Sequence, residues 1–170
     1  MTLDEPGSAP PPRDARQLAL RALTRREYAS LELIRFLVRK KISRDDAEQA
    51  VAQLVRERWI DDQRFSGMLA RTLWARGKGP RFIVAQLARN GIRAKESEVL
   101  RWVGEAASLT GEPADEAAAA REIVRRRYPG ASSDRKVARR AMQALLRRGF
   151  SFDVVRKVVL QEGKEPESEN

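Results

Sequence analysis

The chain has 170 residues, 42% of them hydrophobic, enough for one domain or a few small units with packed interiors. Its 34 lysines and arginines against 24 acids leave a formal charge of +10, which points to a polyanionic partner, either a nucleic acid or an acidic protein face. With no cysteine and no histidine there is no disulfide, no thiolate zinc site and no imidazole base, so most hydrolytic and metal chemistry is disfavoured.

Residues 1–14 carry Pro6, Gly7, Pro10, Pro11 and Pro12 and read as a disordered leader. They are polar and proline-rich, not the apolar run of a signal peptide, and no later stretch has the length and apolarity of a membrane span. A soluble, cytoplasmic monomer is expected. From there to Glu162 the periodicity is helical, and nothing alternates as a strand does.

A weak internal repeat organises the chain. Leu37, Lys41 and Ile42 line up with Leu87, Gly91 and Ile92, and again with Leu145, Gly149 and Phe150. Each time a helix stops at a cationic or glycine residue, an apolar side chain plugs the turn, and another amphipathic helix follows. The repeat predicts an all-α fold, an elongated tandem array of three three-helix units over 15–59, 60–104 and 113–162. A linker at 105–112 and a flexible acidic tail at 163–170 complete it. Units of this size bury too little alone, so neighbours are expected to share core.

In the first unit Leu18, Ala22, Leu23, Leu33, Phe36, Leu37, Ala47, Val51, Leu54 and Val55 are the expected core. Ser43 with Asp46 resembles a capping box. Its surface charges are mixed, as on a solvated face.

The second unit opens at Trp59. Asp61 and Asp62 sit where a helix takes its N-cap and first-turn carboxylates, and Phe65, Met68, Leu69, Thr72 and Leu73 form the stripe behind them. As a magnesium pair these aspartates lack converging partners, so no metal site and no cofactor are expected. Trp74 lies opposite Phe65 and either packs on a neighbouring bundle or stands exposed. Gly77 suits a left-handed helix end and Pro80 the first turn of the next helix. This segment reads as a helix–helix connector; flanked by Lys78 and Arg81, it is also a conceivable phosphate seat. Between Asp62 and Glu96 there is no acid, while Arg64, Arg71, Arg76, Lys78, Arg81, Arg89, Arg93 and Lys95 all fall inside, a cation field without internal compensation.

In the third unit an alanine-rich helix breaks at Pro129-Gly130. On the next, from Asp134 to Arg148, Lys136, Arg140, Gln143 and Arg147 share one stripe with Ala138, Ala141 and Leu145 opposite. Like charges four residues apart cost a few tenths of a kcal/mol each, so the stripe suggests an anionic partner over a plain solvated face. Ser151 or Asp153 is expected to cap the last helix.

Ile60-Asp61-Asp62, Arg64-Phe65, Arg71, Gly77-Lys78-Gly79-Pro80, Ile83, Leu87 and Gly91-Ile92 together resemble the RecX family, the bacterial regulators of the RecA recombinase, over roughly residues 16 to 160. The resemblance implies a non-enzymatic regulator of homologous recombination and DNA repair, within the SOS response, whose partners are the RecA filament and its single-stranded DNA. Such proteins lie in the filament groove, oppose its extension and reduce its ATP hydrolysis and coprotease activities. No catalytic residue is expected. The expected contact residues are Arg64, Arg71, Lys78 and Arg81 in the middle unit and Lys136, Arg140 and Arg147 in the last. Aromatic side chains for base stacking are scarce, with Trp74 the main candidate, so a base-stacking, single-strand-binding fold is disfavoured and backbone contact without sequence readout is expected. The competing reading is a helix-turn-helix-like DNA-binding regulator that protects a specific duplex.

Overall fold

A computed structural model describes residues 13–107 and 114–161; most of the expected leader, most of the linker and the whole acidic tail lie outside them. The described residues form nine α-helices and no strand: α1 (Arg13–Leu23), α2 (Ser30–Arg39), α3 (Arg44–Arg56), α4 (Asp62–Ala75), α5 (Pro80–Arg89), α6 (Glu96–Ala107), α7 (Glu116–Arg127), α8 (Arg135–Arg147) and α9 (Phe152–Gln161). None is long and apolar enough to cross a membrane. The chain divides into two compact units, one made of residues up to 65 with 90–92, the other of 66–89 with the residues from 93 onward.

In the first unit, α1, α2 and α3 pack around Ala19, Leu33, Leu37, Ala47, Val51, Leu54 and Ile60, all of them buried. Leu18, Leu23 and Phe36 are only half-buried at its edge, with the Phe36 ring centroid 5.8 Å from that of Tyr28. Val55, expected in the core, is 43% exposed: one residue on from buried Leu54, it is rotated about 100° toward solvent. Ser43 caps α3 as anticipated, its Oγ accepting from the Asp46 N–H at 3.1 Å and donating to Asp46 Oδ2 at 2.6 Å. α2 begins after Ala29, which has no capping group, and Asp62 Oδ1 accepts the Ser30 N–H instead at 2.8 Å. The adjacent Asp61 caps α4 itself, accepting from the Gln63 and Arg64 N–H groups at 2.8 and 2.9 Å.

The repeated turns adopt one backbone form. Lys41, Gly91 and Gly149 all have positive φ, at 70°, 80° and 86°. Ile42 and Phe150 donate their N–H groups back to Leu37 and Leu145, both at 3.2 Å, closing the six-residue loop that ends a helix in this conformation. Arg58 (φ 61°) and Gly77 (φ 71°) make the same stop, with Trp59 and Lys78 bonded to Leu54 and Leu73 at 2.9 and 3.1 Å.

In the second unit, α7, α8 and α9 enclose Ala120, Val124, Ala141, Leu145, Phe150, Val155, Val158 and Val159, while Ile83 and Leu87 of α5 and Val99 and Val103 of α6 are also buried. The buried side of α4 within this unit runs through Ser66, Gly67 and Ala70, small residues that let neighbours approach. Thr72, expected on the apolar stripe, is exposed and returns its hydroxyl to the Met68 carbonyl at 2.9 Å. Trp74 is half-buried with its ring centroid 6.5 Å from that of Phe150. Asp134 caps α8. At the start of α9 Glu116 of α7, and neither Ser151 nor Asp153, supplies the carboxylate: it accepts the Ser151 N–H at 2.7 Å and its hydroxyl at 3.1 Å.

Candidate nucleic-acid interface

Of the expected contact residues, Arg64 lies in the first unit and the other six in the second. Arg64 is exposed but engaged. Its guanidinium makes two hydrogen bonds to the Glu27 carboxylate, at 3.0 and 3.1 Å, and a third to the Trp59 carbonyl at 3.3 Å. The Glu27 bond is the largest influence on it and holds it further toward the charged form. Arg81 also has an acidic partner, Glu96, at 3.2 Å. The stretch that looked like an uncompensated cation field is therefore answered at two places by carboxylates at or beyond its edges, 37 and 15 residues away in sequence.

Arg71 is exposed, and its guanidinium folds back over Gly67, where a Cβ would lie 3.0 Å from its Nη1. Lys78 holds its ammonium 4.4 Å from the centre of the Phe82 ring, a cation–π contact. Between Lys78 and Arg81 the chain does not offer its first N–H groups to an anion. Gly79 and Arg81 donate theirs to the carbonyls of Arg148 and Gly149, at 2.8 and 3.0 Å. The α8–α9 turn thus occupies the conceivable phosphate seat, and the connector reading holds.

α8 is different. Lys136, Arg140 and Arg147 are exposed, as are Arg135 and Arg139, and none of the five has a carboxylate partner among the described residues. Arg135 and Arg139, and likewise Lys136 and Arg140, stand four residues apart, and Lys136 and Arg139 three apart, so the side chains repel at close range. The first turn carries two cations, and the acid at that end is the Asp134 cap, whose carboxylate accepts from the Lys136 and Val137 N–H groups. On the other side Ala141, Ala144 and Leu145 are buried. α8 thus concentrates charge on its outer face, and beyond the Asp134 cap at its start no carboxylate among the described residues pairs with it.

Sequence reasoning missed a second gathering of cations. Arg76, Arg126, Arg127 and Arg148 line one cleft of the second unit together with Glu122. Glu122 pairs with Arg125 and Arg126, and the Arg125 bond is the main reason its carboxyl is held below the usual range. Arg148 donates to the Gly77 carbonyl at 3.2 Å, while Arg76 and Arg127 stay exposed without acidic partners among the described residues. The run Arg125-Arg126-Arg127 is visible in the sequence; its approach to Arg76 and Arg148 is not. No group of carboxylates able to hold a metal ion occurs among the described residues.

Comparison with known proteins bears on family and fold. Residues 61–96 match the family model described as RecX, second three-helix domain, and residues 114–159 match RecX, third three-helix domain. The regulatory protein RecX of Stenotrophomonas maltophilia (strain R551-3) is 36% identical over 143 residues, 83% of this chain and 82% of that one. That of Trichlorobacter lovleyi is 33% identical over 151 residues, 86% and 94% of the two chains. Among solved structures, RecX from Lactobacillus salivarius superposes with a TM-score of 0.66 at 20% identity over 88% of this chain and 94% of that one, a likeness of fold.

Proposed function

This chain belongs to the RecX family of regulatory proteins, and on that premise we propose that it binds the RecA filament on single-stranded DNA and restrains its extension, ATP hydrolysis and coprotease activities. The action is by contact, with no covalent step, in the cytoplasm, and serves recombination, DNA repair and the SOS response. The chain works as three successive three-helix units, whose contacts reinforce one another through effective concentration.

The observation that carries this reading is the outer face of α8. Five cations without ion-pair partners among the described residues, four of them at like-charge helix spacing, fit a face that meets phosphates or an acidic protein groove. Arg71, Lys78, Arg76 and Arg127 are further contact residues in the same unit, whereas Arg64 and Arg81 contribute less while paired with Glu27 and Glu96.

The test is the triple replacement Lys136→Ala, Arg140→Ala and Arg147→Ala in a RecA ATPase assay on single-stranded DNA. Inhibition is expected to weaken with helicity intact. Binding to the bare strand is expected to lose salt dependence, the slope of log affinity against log salt falling by about 2 for three single-strand phosphate contacts. Inhibition equal to that of the unsubstituted chain refutes the assignment.

A further inference from the structure

The chain has three tryptophans, and the structure treats them differently. Trp74 leans on Phe150 and Trp102 is half-buried, but Trp59 is 55% exposed. It is not on a loose loop. Arg58 at φ 61° turns the chain, the Trp59 N–H is bonded to the Leu54 carbonyl at 2.9 Å, and its carbonyl accepts from Arg64 at 3.3 Å. The next residue, Ile60, is 2% exposed and anchored in the core. The backbone is thus held on both sides while the indole stays in water.

Trp59 lines a groove with an apolar wall from Leu20 and Leu23 of α1 and a rim formed by Arg58 and the Arg64–Glu27 pair. The charges of that rim decide what it accepts. Glu27, the one acid lining the groove, is answered by the two hydrogen bonds of Arg64, and nearby Asp61 turns its carboxylate onto the N–H groups of α4. Arg58 is exposed and has no acidic partner among the described residues. What remains is a flat apolar ring beside an unanswered cation, the pairing that suits a nucleobase and its neighbouring phosphate. An acidic peptide would satisfy Arg58 and leave the indole face without a planar partner.

We propose that Trp59 is a stacking platform for one base of single-stranded DNA, with Arg58 placed for the adjoining phosphate. This rests on the reading above for the strand being present, and adds a contact in the first unit to the phosphate contacts of the second. Because every base has a π face, the site is indifferent to sequence.

The full chain is titrated with a short oligothymidylate and with an abasic oligomer of equal length and charge, following tryptophan fluorescence and affinity. The unsubstituted chain is expected to be quenched by the oligothymidylate only. Trp59→Ala is expected to weaken oligothymidylate binding roughly five- to 150-fold, the range for losing one stacked base, and to leave abasic binding unchanged. Trp59→Phe keeps a ring that can stack and should retain part of the affinity while losing the quench; it also serves if the alanine variant folds poorly. Equal oligothymidylate affinity in Trp59→Ala, an equal loss on the abasic oligomer, or no binding of oligothymidylate by the unsubstituted chain overturns the site. The RecA ATPase separates the two readings. Inhibition without a Trp59 effect on strand affinity removes the stacking site alone, and a Trp59-dependent quench without inhibition removes the filament reading alone.

Discussion

Replacing Gly149 by alanine tests the contact on which the second unit turns. Gly149 has φ 86°, and a Cβ built there would lie 2.5 Å from Phe82 Cβ and closer still to the Phe82 nitrogen. Holding alanine in the left-handed region costs roughly 1–2 kcal/mol. Phe82 belongs to the first turn of α5, so its backbone cannot rotate aside; the connector has to retreat. Retreat breaks the Gly79–Arg148 and Arg81–Gly149 hydrogen bonds, together worth about 1–3 kcal/mol. Adding these gives a loss of roughly 2–5 kcal/mol, against the 5–15 kcal/mol typical of a folded domain. Gly130 supplies the control. Its φ is 84°, but the nearest atom to an added Cβ is Ser133 Oγ at 3.8 Å, so Gly130→Ala should show only the backbone penalty of about 1–2 kcal/mol. Urea unfolding followed by circular dichroism compares the two. Hydrogen exchange of the Gly79 and Arg81 amides should show protection lost in Gly149→Ala and kept in Gly130→Ala. Equal destabilisation by both substitutions, with those amides still protected, would refute the docking of the connector on the α8–α9 turn.

Two helix starts depend on a carboxylate from elsewhere in the chain. Asp62→Ala, which frees the Ser30 N–H, and Glu116→Ala, which frees the Ser151 N–H and hydroxyl, should each lower stability by about 1–2 kcal/mol in urea unfolding, the range for a lost cap. A change within error at both would show that water replaces these bonds without loss. Asp61 predicts a pH dependence. The Arg64 N–H, helped by that of Gln63, holds its carboxyl below the ordinary value of 3.8, so its contribution is present above the ordinary carboxylate range and is lost as pH falls through the lowered value. Below about pH 5 the urea midpoint should therefore fall more steeply in the unsubstituted chain than in Asp61→Asn, which keeps a capping oxygen but does not titrate. Parallel pH profiles would count against that cap.

Much of the local structure was legible in the residues because it is made within one turn of chain. The three turns at Lys41, Gly91 and Gly149, the Ser43–Asp46 cap and the stop at Gly77 depend on side chains and backbone groups no more than six residues apart, so spacing alone carries them. The α8 stripe was legible for the same reason: helical period puts Lys136, Arg140 and Arg147 on one side whatever surrounds the helix. Tertiary structure decided which cations are answered. Glu27 reaches Arg64 across 37 residues and Arg148 reaches Gly77 across 71, and no periodicity relates such positions. It likewise set Trp74 against Phe150 and left Trp59 in water, a distinction that depends on which surface each indole meets after packing and so has no local sign.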